Sequence, residues 1–198
     1  MGSHEALCQR WRGLEVIGHQ SDGGRLPRLT RGVSHGSAVE LGALSARVLH
    51  TPGHTRGGIS YVVDGAVFTG DTLFGGGCGR LFEGTPKTMH HSLTEVLGEL
   101  DDATRIYCGH EYTQKNLAFG STLEPANAAL AARVARVEAL RAAGKPSVPS
   151  TWGEEQETNP FLRGHSDELR ASLREQGAVD VDDDVSAFAA TRRLRDRF

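Results

Sequence analysis

The chain has 198 residues, with 22 lysines and arginines against 25 aspartates and glutamates and a formal charge of -3 at pH 7. That length holds one sizeable core, or a core domain with a smaller appendage. Near-balanced charge removes any global electrostatic reason to expect nucleic acid or an anionic membrane as partner, and no apolar run approaches a membrane span. Cys8, Cys78 and Cys108 are odd in number, far apart and in no C-x-x-C arrangement, so neither a disulfide framework nor a thiolate zinc site is indicated. With no charged-then-apolar leader, these features predict a cytoplasmic protein.

Up to about Tyr112, short β-branched or alternating runs are broken by glycine; beyond it Ala, Leu, Arg and Glu recur at helical spacing. The shift divides the chain into residues 1–112 and a helical region, residues 113–198. Leu14 to Ile17 reads as a strand. Leu44, Ala46 and Val48 alternate with Ser45, Arg47 and Leu49, and Ile59 to Val63 and Ala66 to Thr69 flank Asp64-Gly65, a two-residue hairpin signal. Met89, Leu93, Val96, Leu97 and Leu100 mark one helix face, with Thr85 as its cap and Pro86 in its first turn, and Arg105 to Cys108 is a further strand. In the second region Leu130, Val134, Val137 and Leu140 form a stripe that Gly144 stops. Pro146 and Pro149 open a loop predicted to run through Asn159-Pro160. Ser166 caps a helix holding Leu169 and Leu173. The last helix starts among Asp182, Asp183 and Asp184 and ends among Arg192, Arg193, Arg195 and Arg197, which suits both ends of its dipole.

Three phrases share one grammar: Thr51-Pro52-Gly53-His54-Thr55, Thr69-Gly70-Asp71-Thr72 and Cys108-Gly109-His110-Glu111. Each ends a strand-like run and sets a glycine directly before a side chain able to hold a divalent metal. Taken singly, each is a polar residue in a turn. Together, two imidazoles and a carboxylate suit zinc or non-haem iron and leave positions open for water, so a metal-dependent hydrolase is the leading reading. His4, His19, His35, His50, His90, His91 and His165 lack such a setting and read as surface or helix-face residues. Gly75-Gly76-Gly77-Cys78-Gly79-Arg80 fits neither G-x-x-x-x-G-K-[ST] nor G-x-G-x-x-G, and reads as a flexible loop at the rim of the site. Its Arg80 is either offered to an anionic substrate group or merely solvated, and Cys78 is a small packed residue rather than a nucleophile.

The strings Val48-Leu49-His50-Thr51-Pro52-Gly53-His54-Thr55, Phe68-Thr69-Gly70-Asp71-Thr72-Leu73-Phe74, Gly77-Cys78-Gly79-Arg80-Leu81-Phe82-Glu83-Gly84 and Tyr107-Cys108-Gly109-His110-Glu111-Tyr112 resemble glyoxalase II, the hydroxyacylglutathione hydrolase branch of the metallo-β-lactamase superfamily. The likeness continues through Pro149-Ser150-Thr151, Asn159-Pro160-Phe161-Leu162-Arg163 and Arg192-Arg193-Leu194-Arg195-Asp196. It implies an α/β fold, a metallo-β-lactamase-type αβ/βα sandwich over 1–112 followed by a helical glutathione-binding domain over 113–198. It also implies two divalent metal ions, zinc or else iron or manganese, with His54 on one, Asp71 bridging both and His110 on the second. Asp71 and His110 are the implied catalytic residues. The implied substrate contacts are Arg80, Leu81, Phe82, His110, Glu111, Tyr112, Arg192, Arg193 and Arg195. A metal-held hydroxide would attack the thioester of S-D-lactoylglutathione and release D-lactate and glutathione. The expected partner is that glutathione thioester, with no nucleic acid or membrane, and the complete protein is expected to be a monomer. The residues alone leave a charge-balanced helix end equally open for the arginines, and a core position for Phe82 and Tyr112.

The family's T-x-H-x-H-x-D-H motif, which supplies the remaining metal ligands, is not in the chain. Ser3 to Leu7 fits as the cap and first turn of the family's next helix, although Met1-Gly2-Ser3-His4 can also be read as a cloning scar. The resemblance therefore implies an incomplete copy lacking the N-terminal part, with metals partly held or not held, poor hydrolysis, and a sheet left with exposed edges and apolar surface. The alternatives are an inactive paralogue that binds glutathione conjugates or a protein, and a single-iron persulfide dioxygenase, against which the helical region and its basic terminus argue. Gly58 stands where many members carry a second histidine, a change of modest expected consequence.

Overall fold

Glycines and turn residues cut the first region into strands too short to stand alone, and they gain stability by pairing side by side. The computed structural model describes residues 4–198; the cap expected at Ser3 lies outside the described residues. In chain order the strands are β1 (Ile17–His19), β2 (Arg31–Val33), β3 (Ala38–Leu41), β4 (Leu44–His50), β5 (Ile59–Val63), β6 (Ala66–Gly70), β7 (Leu73–Phe74), β8 (Gly77–Cys78), β9 (Arg105–Cys108) and β10 (Ser150–Thr151). The helices are α1 (His4–Arg10), α2 (Pro86–His91), α3 (Thr113–Leu123), α4 (Ala128–Ala142), α5 (Trp152–Thr158), α6 (Asp167–Glu175) and α7 (Asp184–Arg195).

Six strands form one sheet in the order β10-β9-β6-β5-β4-β3. The predicted hairpin closes β5 onto β6, and its turn needs positive φ at both central residues, which Asp64 (48°) and Gly65 (68°) supply. Strands β4 and β6 are both antiparallel to β5, and β6 is parallel to β9, so β4, β6 and β9 all end at the same rim. That is the topological fact on which the site rests.

One face of the sheet presents Leu49, Val67 and Ile106 to Met89, Leu93 and Leu97, which follow the predicted stripe through α2 and a π-turn at Ser92–Val96. Thr85 caps α2 as predicted, its Oγ1 accepting from Thr88 N. The same core continues without a break into Trp152, Phe161, Leu169, Leu173 and Phe188 of the helical region. The opposite face carries a cross-strand row, Val48, Tyr61, Phe68 and Tyr107. At its end Phe68 stacks on Tyr107 at 5.2 Å and is 46% exposed, the apolar surface that the sequence led us to expect.

Several expectations need correction. Leu14 to Val16 are not in a strand: Val16 bonds Thr30 from both its N and its O, and pairing with β2 begins only at Ile17. The loop predicted through Asn159 holds β10 and α5, because Thr151 caps a helix with Oγ1 accepting from Glu154 N. His19 is neither surface nor helix-face. It is buried and stacks on His50 at 3.9 Å, where burial, then the charge of His50, lowers its pKa.

Candidate metal centre

His54 and Asp71 leave the common rim from turns tied down by threonine, and His110 follows a turn in which Gly109 N donates to the Gly70 carbonyl at 2.8 Å. Thr51, just after β4, shares a buried hydroxyl contact with Ser60 at 2.9 Å, and Thr72 donates to the Thr51 carbonyl at 3.0 Å. Thr69 donates to the Leu73 carbonyl at 2.8 Å, closing the turn that carries Asp71. Gly109 lets His110 approach from β9: a Cβ there would sit 2.4 Å from Asp71 Oδ1.

His54, Asp71 and His110 meet. His54 Nε2 lies 3.6 Å from Asp71 Oδ2, and His110 Nε2 lies 3.4 Å from Asp71 Oδ1. Both separations exceed a normal N–H···O length, so neither imidazole is hydrogen-bonded to the carboxylate. They match the spacing of about 3.4 Å between two ligands held tetrahedrally at zinc distances. His54 Nδ1 donates to the Arg80 carbonyl at 2.9 Å, so in the neutral imidazole the lone pair is on Nε2, facing Asp71. The donor chemistry and the spacing therefore fit divalent ions, one on each side of Asp71. Among the described residues no three His, Cys, Asp or Glu side chains converge on one ion. Each ion would have two of these protein ligands.

The three residues line a cavity of about 470 Å³. Phe82 tilts over His54 at 4.9 Å, Tyr112 stacks on His110 at 4.8 Å, and Phe74 meets both His110 and Tyr112 edge-on. Arg80, Lys115, Arg192 and Arg195 add four cations to the lining. Arg80 is mostly exposed and lies 3.7 Å from Asp196. Arg195 donates to Asn116 Oδ1 at 3.1 Å, whereas Arg192 is buried and donates to the Cys78 carbonyl and to Asp196. Burial pushes the Cys78 thiol up to about 12 despite the nearby Arg192 charge, so it is not a nucleophile at neutral pH.

Three residues named from the sequence lie outside the cavity lining. Leu81 packs against the core. Glu111 turns away to accept from Ser147 N and Oγ; burial raises its pKa, but the Ser147 bonds and Arg141 outweigh this and lower it. Arg193 is exposed and lines a separate hollow beside Gln176 to Asp180. Conversely, sequence reasoning passed over Lys115 and Asn116. They follow Tyr112 by three and four positions at the start of α3, a spacing that puts them on its face of the helix.

Residues 10–110 match the metallo-beta-lactamase superfamily, and residues 111–198 match the hydroxyacylglutathione hydrolase C-terminus. A protein of Synechococcus sp. strain JA-2-3B'a(2-13) named hydroxyacylglutathione hydrolase is 46% identical over 200 residues, spanning all of this chain and 77% of its own length. The Rhodospirillum rubrum protein of the same name is 47% identical over 188 residues, covering 94% of this chain and 72% of its own. Among solved structures, ETHE1 from Myxococcus xanthus superposes with a TM-score of 0.61 at 28% identity, over 97% of this chain and 71% of that one. No helix among the described residues is long and apolar enough to cross a membrane.

Proposed function

Because the chain belongs to the hydroxyacylglutathione hydrolases of the metallo-β-lactamase superfamily, we propose that its cavity takes S-D-lactoylglutathione and that His54, Asp71 and His110 hold the divalent ions needed to hydrolyse the thioester. The observation that carries this is that two imidazole Nε2 atoms face the two separate oxygens of Asp71 in the lining of a cavity that also holds four cationic side chains. A bound divalent ion supplies water activated at neutral pH and a Lewis acid for the carbonyl oxygen. The chain's own residues do the rest. Asp71 presents one oxygen to each side, and the Arg80 carbonyl keeps the His54 proton on Nδ1, away from the ligand face.

Residues 1–112 would then carry the metal ligands, while 113–198 bring Lys115 from α3 and Arg192 and Arg195 from α7 to the same cavity. A glutathione group carries two carboxylates, and Arg80, Lys115 and Arg195 offer cationic partners for them. Phe82 and Tyr112 form apolar walls beside the ligands. Two ions sharing that one carboxylate, with one imidazole each, would be weakly held, and hydrolysis would then depend on free metal.

The test is thioester hydrolysis by the 198-residue protein with zinc, manganese or iron in excess. We expect slow turnover that chelation removes and that Asp71→Ala reduces to background. Turnover indifferent to chelation or to Asp71→Ala would reject the reading. Binding of the substrate without any turnover would favour a glutathione-conjugate binding module.

A further inference from the structure

The segment from Gly75 to Arg80 has almost no side chains to hold it down, yet its backbone is met atom by atom by buried groups of the helical region. Asn116 Nδ2 donates to the Gly75 carbonyl at 3.0 Å, and Gly76 N donates to Glu155 Oε2 at 2.8 Å. Asn159 Nδ2 donates to the Gly77 carbonyl at 3.1 Å, and Arg192 donates to the Cys78 carbonyl at 3.1 Å. At the far end the Arg80 carbonyl takes the bond from His54 Nδ1. A carbonyl can only accept, so the course of this segment decides which His54 nitrogen carries the proton.

Glu155 sits at the centre of the set. It is 0% exposed, its Oε1 accepts from buried Arg133, and its Oε2 accepts from Asn159 as well as from Gly76. It therefore acts on two of the four side-chain anchors, on Gly76 directly and on Gly77 through the Asn159 amide, while the backbone of β8 is also paired with β7 and Gly79 N donates to the Thr72 carbonyl. A buried carboxylate is retained only where donors satisfy it, and here one of those donors is the segment itself. We propose that Glu155 is a positioning residue: by holding Gly76 it fixes the path of residues 75–80, and through the Arg80 carbonyl it fixes the tautomer and orientation of His54. Its consequence for catalysis rests on His54 being a metal ligand, but the positioning is measurable without metal or substrate.

The experiment reads the imidazole nitrogens of the metal-free protein by long-range ¹H–¹⁵N NMR at a pH of about 8, where ordinary histidines are neutral. The His54 signal is assigned by its loss in His54→Ala. The comparison is made in an Arg133→Met background, which avoids stranding a buried cation. There, Glu155→Gln keeps an acceptor for Gly76 N, and Glu155→Met keeps the shape without one. We expect the glutamine variant to retain the Nδ1–H form of His54 and a protected Gly76 amide. The methionine variant should show a tautomer mixture and Gly76 exchange about tenfold faster. An unchanged tautomer in the methionine variant, or a mixture in the glutamine variant, overturns the proposal. So does a methionine variant that no longer unfolds cooperatively, since Glu155 would then determine the fold rather than the site. Failure of the hydrolase reading would show in the thioester assay and leave these NMR outcomes unmoved.

Discussion

Asp71 can stand between two imidazoles because residue 109 has no side chain. The backbone of Gly109 is not in a left-handed conformation, so alanine can adopt its φ, but the added Cβ would fall 2.4 Å from Asp71 Oδ1 and 3.2 Å from the Gly70 carbonyl oxygen. Gly109→Ala should therefore push the carboxylate aside and weaken zinc or cobalt binding by about 10- to 100-fold while the protein still folds; titration by absorbance or calorimetry reads the loss directly. The two arginines of α7 separate in the same way. Arg195 is partly exposed and faces the cavity, so Arg195→Ala should raise KM for glutathione thioesters about tenfold with kcat little changed. Arg192 is buried with its charge spent on the Cys78 carbonyl and Asp196, so Arg192→Ala should lower the unfolding free energy by about 2 kcal/mol, seen as a shift of the urea midpoint. His54, Asp71 and His110 were legible in sequence because each follows a strand with a glycine before it, a local pattern. That Arg192 serves the glycine segment was not, because its partner lies 114 residues away.

At the scale of elements, the hairpin turn and the caps with local signals emerged where predicted, whereas the strand expected from Leu14 begins only at Ile17. The Asp64-Gly65 turn, the Thr85 and Ser166 caps and the acidic start of α7 each bond within a few residues of themselves. Strand β4 shows where alternation stops being informative: Leu44 is exposed, whereas Val48 and Leu49 are both buried because the sheet is covered on both faces at that end. Helix α5 was hidden by the prolines before it, although Thr151 followed three residues later by Glu154 was the usable signal. Its short length makes that cap matter. Thr151→Ala should cost about 1 kcal/mol of stability by chemical denaturation, and because Glu155 lies on the same helix, the Gly76 amide should exchange faster in this variant.

At the scale of the whole molecule, protonation and one open face decide how the protein behaves. His19 is shifted down by burial and then by His50; His90 is shifted down by burial, which outweighs Asp184 and Glu95. A histidine with a lowered pKa in the folded state binds fewer protons there than in the unfolded chain, so stability rises with pH. Stability should hold above a pH of about 6.5 and fall as pH drops below that value, and replacing both histidines by glutamine should flatten the decline measured by urea unfolding. The outer sheet face acts through association instead. Phe68 stands 46% exposed in a row with Tyr61 and Tyr107, and Leu41 and Leu44 extend the exposed apolar surface along the β3–β4 hairpin at the sheet edge. Exposed apolar side chains of this kind gain by being covered, and in a solution of one protein the available cover is a second copy. Sedimentation velocity should therefore show an apparent mass that rises with concentration, and Phe68→Lys should abolish the rise at little cost in stability, since the ring already stands half in water. An equal rise in the variant would place the contact elsewhere, with the outer edge of β3, which no strand pairs among the described residues, as the next surface to alter.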